Sequence, residues 1–220
     1  MSKTTGDGRS ARTGRQLTNK GLQTRDRIVA VAAALIDERG VARTTIEDIQ
    51  LAAGVSASQM YHYFLDKDSL VRAVIELQAQ RVLGFQHLGL DRVESFADLR
   101  RWRDLVVALV TQRSGVGGCP LGSLASDLAE TDPVARARLA RAFAHWEQLL
   151  RDGLATMART GQFAGTVDTD RLALALLGAT QGGLLLSQVR RDVAPLQASL
   201  DTVIEHIGCQ LTTDARRAEQ

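Results

Sequence analysis

At 220 residues, with 45% apolar and 24% charged residues, the chain can bury a hydrophobic core and is not disordered as a whole. Aromatics at 4% and only three prolines argue against a β-rich fold, so an all-α protein is expected. The net charge of +2 hides an uneven distribution, because Lys3, Arg9, Arg12, Arg15, Lys20, Arg25 and Arg27 are opposed in that segment only by Asp7 and Asp26. Cys119 and Cys209 lie far apart, with no Cys-x-x-Cys pair and no histidines at metal-ligand spacing, which excludes a disulfide framework and a zinc site. No cofactor is expected. The basic start has no apolar run behind it, and the longest apolar stretch, 172–186, is broken by Gly and Gln. A cytoplasmic protein without a membrane span follows.

Residues 1–21 are rich in Ser, Thr, Gly, Arg and Lys and read as a mobile basic arm. From Thr24, Ile28, Val31, Ala32, Leu35 and Ile36 recur at helical spacing and end at Arg39 and Gly40, giving a first helix. Thr44 with Glu47 has the spacing of a capping box for a short second helix that stops at Gly54. Ser56 with Gln59 repeats the pattern for a third, running through Phe64. A longer helix from Asp68 to about Leu83 carries Leu70, Val71, Val74, Ile75, Leu77 and Val82 inward. Ser95 with Asp98 opens the next, to about Arg113, before a glycine-rich connection from Gly115 to Gly122. Asp132-Pro133 starts another, ending near Gly161, and Asp168 to Arg191 and Pro195 to Leu211 complete the set. The sum is about nine helices, three small ones in front and a larger bundle behind. The divisions are 22–70 for a helix-turn-helix unit, 71–211 for the bundle and 212–220 for a tail.

Four runs stand at characteristic spacing: Thr44-Thr45-Ile46-Glu47-Asp48-Ile49, Ala53-Gly54-Val55-Ser56, Tyr61-His62-Tyr63-Phe64 and Lys67-Asp68-Ser69-Leu70. Together they resemble the DNA-binding domain of the TetR (tetracycline-repressor) family of bacterial regulators. A recognition helix must divide its faces, and Val55, Met60, Tyr63 and Phe64 can pack inward while Ala57, Ser58, Gln59 and His62 stay available to DNA. The resemblance implies Tyr61 and Lys67 on phosphates, Thr44 and Thr45 near the DNA backbone, and Gln59 toward bases. A glutamine amide can bond adenine N6 and N7 together. Gln50, where the family usually has a small residue, and Ala57, in place of a residue that is often basic, depart from the common pattern.

By the same resemblance the chain is a homodimeric repressor on palindromic operator DNA, released by a small apolar effector. Candidate walls of an effector cavity are Phe85, Trp102, Val106, Leu109, Cys119, Leu124, Phe143, Trp146 and Gln181, with Arg81 or Gln181 as polar anchors. Cys119 reads either as a buried small hydrophobe or as a redox sensor. Gly178, Ala179, Gly182 and Gly183 form a small-residue strip beside Leu176, Leu184, Leu185, Val203 and Ile207. The strip serves either a dimer contact, centred on Gly178, Gly182, Leu185, Val203 and Ile207, or packing inside one subunit. No phosphate-binding glycine loop, nucleophile elbow or metal-spaced histidine pair marks an enzyme. The remaining alternative is a helical protein-interaction module, distinguished by the lack of salt-dependent binding to an inverted repeat.

Overall fold

The computed structural model describes residues 18–217, and its elements are all helices. In chain order they are α1 (Asn19–Arg39), α2 (Ile46–Ala53), α3 (Ala57–Tyr63), α4 (Lys67–Leu90), α5 (Phe96–Gln112), α6 (Pro120–Leu128), α7 (Pro133–Arg159), α8 (Thr169–Arg190), α9 (Ala194–Gly208) and the short α10 (Thr213–Arg217).

Helix starts are set by local side-chain chemistry. Ser56 and Gln59 form the expected capping box of α3, and Ser95 and Asp98 do the same for α5. Asp132 caps α7 and Pro133 occupies its first turn, where a missing N–H costs nothing. At α2 the cap lies one residue later than the sequence pattern suggested. Thr44 is fully buried, with its hydroxyl donating to the Gly40 carbonyl at 2.9 Å, so Thr45 takes the cap position and pairs with Asp48. Thr18 caps α1, accepting from the Gly21 amide at 3.2 Å, so residues 18–21 are cap and first turn rather than arm. The rest of the proposed arm, 1–17, lies outside the described residues.

Helix α4 runs on past Leu83 to Leu90, because Gln86 and Leu90 continue its buried side. Its first turns pack on α1, and the same helix contacts α5, α6 and α7. The most extensive helix pairing is α8 with α9. Gly183 permits it, since a Cβ there would come within 2.8 Å of the Leu196 Cα, and Ser187 Oγ accepts the Leu196 amide at 3.2 Å. Arg103 on α5 holds Asp201 on α9 through a forked pair at 2.7 and 2.8 Å. Helix α8 is long and apolar enough to cross a membrane by length and composition alone, but Leu172, Leu176 and Gly183 on one side are buried within the bundle. The expected tail begins with Thr212, whose amide donates to the Gln162 carbonyl at 2.8 Å, and continues into α10.

Gly183→Ala forces α8 from α9 and should cost about 1–3 kcal/mol. Gly84→Ala, with nothing within 4 Å of its new methyl group, should instead stabilise by about 0.4–1 kcal/mol. Urea unfolding at fixed protein concentration compares the two. The Asp48 carboxyl is held below its usual range, first by the Thr45 hydroxyl and then by the Thr45 amide. Its contribution is therefore complete above the unfolded-state carboxylate value and lost as pH falls through the lower folded-state value. The stability gap between wild type and Asp48→Ala should be widest near neutral pH and close under acid, as followed by circular dichroism.

Candidate functional site

Helices α2 and α3 meet at Gly54, which adopts φ +60 and ψ 45, a left-handed conformation that ends α2 without Cβ strain. Val55 and the Ser56 cap then launch α3 in a new direction. Met60 and Phe64 lock α3 down, being 0% and 3% exposed, while Val55 and Tyr63 are half-buried against the same core. The opposite face of α3 presents Ala57, Ser58, Gln59, Tyr61 and His62 to solvent. This is a helix-turn-helix whose second helix is polar and, among the described residues, exposed, of the kind that enters a major groove.

The individual side chains refine the expectations. Thr45 is exposed but already pairs with Asp48, donating to Oδ2 at 2.7 Å and accepting the Asp48 amide at 3.1 Å. Thr44 cannot approach DNA at all, because its hydroxyl is turned into the protein; its assignment to the DNA backbone is corrected to a structural one. Lys67 is half-buried and its ammonium donates to the Val41 carbonyl at 2.6 Å, which ties the start of α4 to the turn after α1. That bond uses one of the three ammonium donors and leaves the other two for the phosphate contact expected of Lys67. Gln59 spends its carbonyl oxygen on the Ser56 amide at 3.0 Å, so only its NH2 group is free. Bidentate reading of adenine would require this cap to open.

In the bundle, a cavity of about 310 Å³ brings together Arg81, Phe85, Val106, Leu109, Cys119 and Trp146 from the expected set. Val82, Val110, Val116 and Leu184 add apolar wall, and Asp37, Gln78, Gln86 and Arg113 add polar groups. Four expected wall residues lie elsewhere. Trp102 sits behind the wall at 1% exposure, its indole N–H donating to Gln86 Oε1 at 2.7 Å. Leu124 lines a second cavity of about 260 Å³, together with Ala33, Ile36 and Asp127. Phe143 packs on the core without reaching the cavity, and Gln181 stands beside the Cys119 thiol and Gly122. Burial pushes the Cys119 thiol above its ordinary value, so it stays protonated at neutral pH, which argues against a thiolate sensor.

Among the polar cavity residues, Asp37, Gln78, Gln86 and Arg113 were not in the expected set. The two glutamines carried a signal, because each follows an apolar residue four positions earlier, Val74 and Val82, and so falls on the buried side of α4. Asp37 carried none, since its place beside the polar end of α1 is that of an ordinary solvated acid. Burial raises its carboxyl above the usual range and Arg113 opposes that shift. Asp127 on α6 was also missed; its Oδ2 accepts the Val41 amide at 2.9 Å and so links the bundle to the helix-turn-helix.

The fold and the exposed α3 face define a helix-turn-helix regulator with a separate helical bundle. Residues 28–74 match the family described as bacterial regulatory proteins, tetR family, and residues 89–203 match the tetracyclin repressor-like C-terminal domain. The chain belongs to the TetR family of DNA-binding transcriptional regulators. It is 25% identical to the HTH-type transcriptional repressor DhaR of Mycobacterium sp. strain GP1, over 82% of this chain and 90% of that one. An uncharacterized HTH-type transcriptional regulator from Lactococcus lactis is 28% identical, over 84% and 95% of the two chains. The crystal structure of a TetR transcriptional regulator from Chloroflexus aurantiacus superposes with a TM-score of 0.74 at 28% identity, covering 88% of this chain and 98% of that one.

Gln59→Glu separates capping from reading. Glutamate also suits the last position of a capping box, so stability should change by less than about 0.5 kcal/mol. Loss of the amide donor should shift the selected operator sequence by about 1–3 kcal/mol at the base pair read. Unchanged selection with retained stability would confine Gln59 to its cap.

Proposed function

We propose that the chain is a cytoplasmic homodimeric repressor that holds a palindromic operator through two copies of α3 and releases it when a small, largely apolar molecule enters the 310 Å³ cavity. The observation that carries this reading is the make-up of the cavity wall. Asp37 comes from α1 of the helix-turn-helix, Gln78 to Gln86 from α4, Val106 to Val110 from α5, Pro120 from α6, Trp146 from α7 and Leu184 from α8. An occupant therefore touches both parts of the molecule at once.

The second copy belongs on α8. Leu174, Leu185, Leu186 and Val189 are 59%, 59%, 46% and 73% exposed along one side of that helix, with Gly178 and Gly182 between them and nothing within 4 Å of either glycine's missing Cβ. Such a strip lets a second helix approach closely and gains from being covered. Val203 is half-buried beside it, whereas Ile207 is wholly inside the subunit and is removed from the dimer set. The alternative that the strip packs within one subunit holds for Gly183 alone among its glycines.

Gly182→Arg tests the pairing and the operator together. The variant should fold, run as a monomer in light scattering, and lose affinity for an inverted repeat far more than for a single half-site. Wild-type binding to the repeat should weaken steeply with salt, with a slope near −0.9 per phosphate neutralised. A dimeric, well-folded Gly182→Arg places the interface elsewhere, and salt-insensitive binding removes the operator reading.

A further inference from the structure

The donors and acceptors around the 310 Å³ cavity are unequal. Arg81 and Arg113 line its solvent-exposed rim, and neither guanidinium forms an ion pair among the described residues. Gln86 is 3% exposed and also lines it. Its carbonyl oxygen is committed to the Trp102 indole at 2.7 Å, which fixes the amide orientation and leaves the NH2 group without an acceptor. Trp146, 1% exposed, lines the same space and its indole N–H has no acceptor. Against these donors stand the single carboxylate of Asp37 and the ambivalent amide of Gln78.

A buried donor without a partner costs free energy, and two guanidinium groups set against the single carboxylate of Asp37 at an apolar cleft favour an anion over a neutral guest. The remaining wall is Val82, Phe85, Val106, Leu109 and Val110, which demands an apolar body. We propose that the ligand of this cavity is an amphipathic organic anion, an apolar body carrying a carboxylate or sulfonate held by Arg81, Arg113 and the Gln86 amide. The inference rests on the cavity being the effector site. It adds a consequence for regulation, because Asp37 on α1 lines the same space as Arg113. An anion held by Arg113 enters the space that Asp37 lines, and so bears on α1 beside the helix-turn-helix.

The probe is a pair of dyes that share one apolar body, 1-anilinonaphthalene-8-sulfonate and the uncharged N-phenyl-1-naphthylamine. Titrated by fluorescence into the full-length protein, the sulfonate should bind about tenfold or more tightly than the neutral dye. Arg113→Gln and Arg81→Gln should each remove much of that preference. Gln86→Glu keeps the acceptor for Trp102 while replacing the free donor by a negative charge, and should weaken the sulfonate while sparing the neutral dye. Leu109→Trp fills the cavity and should exclude both; unfolding curves and operator binding of every variant verify the fold. Equal binding of the two dyes, both excluded by Leu109→Trp, would overturn the anion proposal and leave the effector site standing. Dye binding that Leu109→Trp does not touch would overturn both. A sulfonate preference that survives both arginine substitutions also overturns the proposal.

Discussion

Helix α4 has to satisfy two cores at once, and the rest of the molecule is arranged around that requirement. Its first turns bury Leu70, Val71, Val74 and Ile75, with α1 packed alongside, and its last turns bury Gln86 and Leu90, with α5 and α7 as neighbours. At 24 residues it is a rod of about 36 Å. Each fully buried large apolar side chain contributes roughly 1.5–3 kcal/mol, so the one helix is anchored in both cores. The same helix carries Phe85 and Gln86 at the cavity and Lys67 beside the recognition helix.

A second path joins the same two parts with fewer atoms. Val41, just after α1, donates its amide to Asp127 of α6 and accepts from the Lys67 ammonium of α4. Helix α6 begins at Pro120, whose ring lines both cavities. A hydrogen bond involving a charged group contributes about 1.5–3 kcal/mol, while allosteric coupling free energies are typically about 1–3 kcal/mol. The Asp127 contact is solvent-exposed and so lies at the weak end of the hydrogen-bond range, but it ties α6 directly to the turn after α1.

The helix-turn-helix was readable because its determinants are local. Ser56 with Gln59 and the left-handed Gly54 act within a few residues, and the apolar phase of Met60 and Phe64 fixes which face of α3 is free. Thr44 was misread for the opposite reason: the Gly40 carbonyl that claims its hydroxyl depends on how α1 ends, just as the Lys67 bond to Val41 depends on where α4 docks. In the bundle, periodicity indicated that Phe85 and Trp146 face inward but not what they face. Trp102 is as apolar in sequence as Trp146, and only the bond to Gln86 decides that it belongs behind the wall. Ile207 and Leu185 are likewise equivalent by type. The docking of α9 on α8 buries one and leaves the other in solvent.

Helix α8 shows how closely the two sides of the bundle are joined. It is apolar around most of its circumference, which in a helix normally means cover on every side, yet within one subunit only one side is covered. Neighbouring residues divide the work: Gly183 closes on Leu196 while Gly182 faces open space, and Leu184 lines the cavity while Leu185 projects away from it. If the exposed side is the dimer face, cavity and partner are separated by the thickness of a single helix. An occupant that presses on Leu184 then acts on the pairing of the subunits as directly as it acts on α4, and the spacing between the two recognition helices is set by both contacts together.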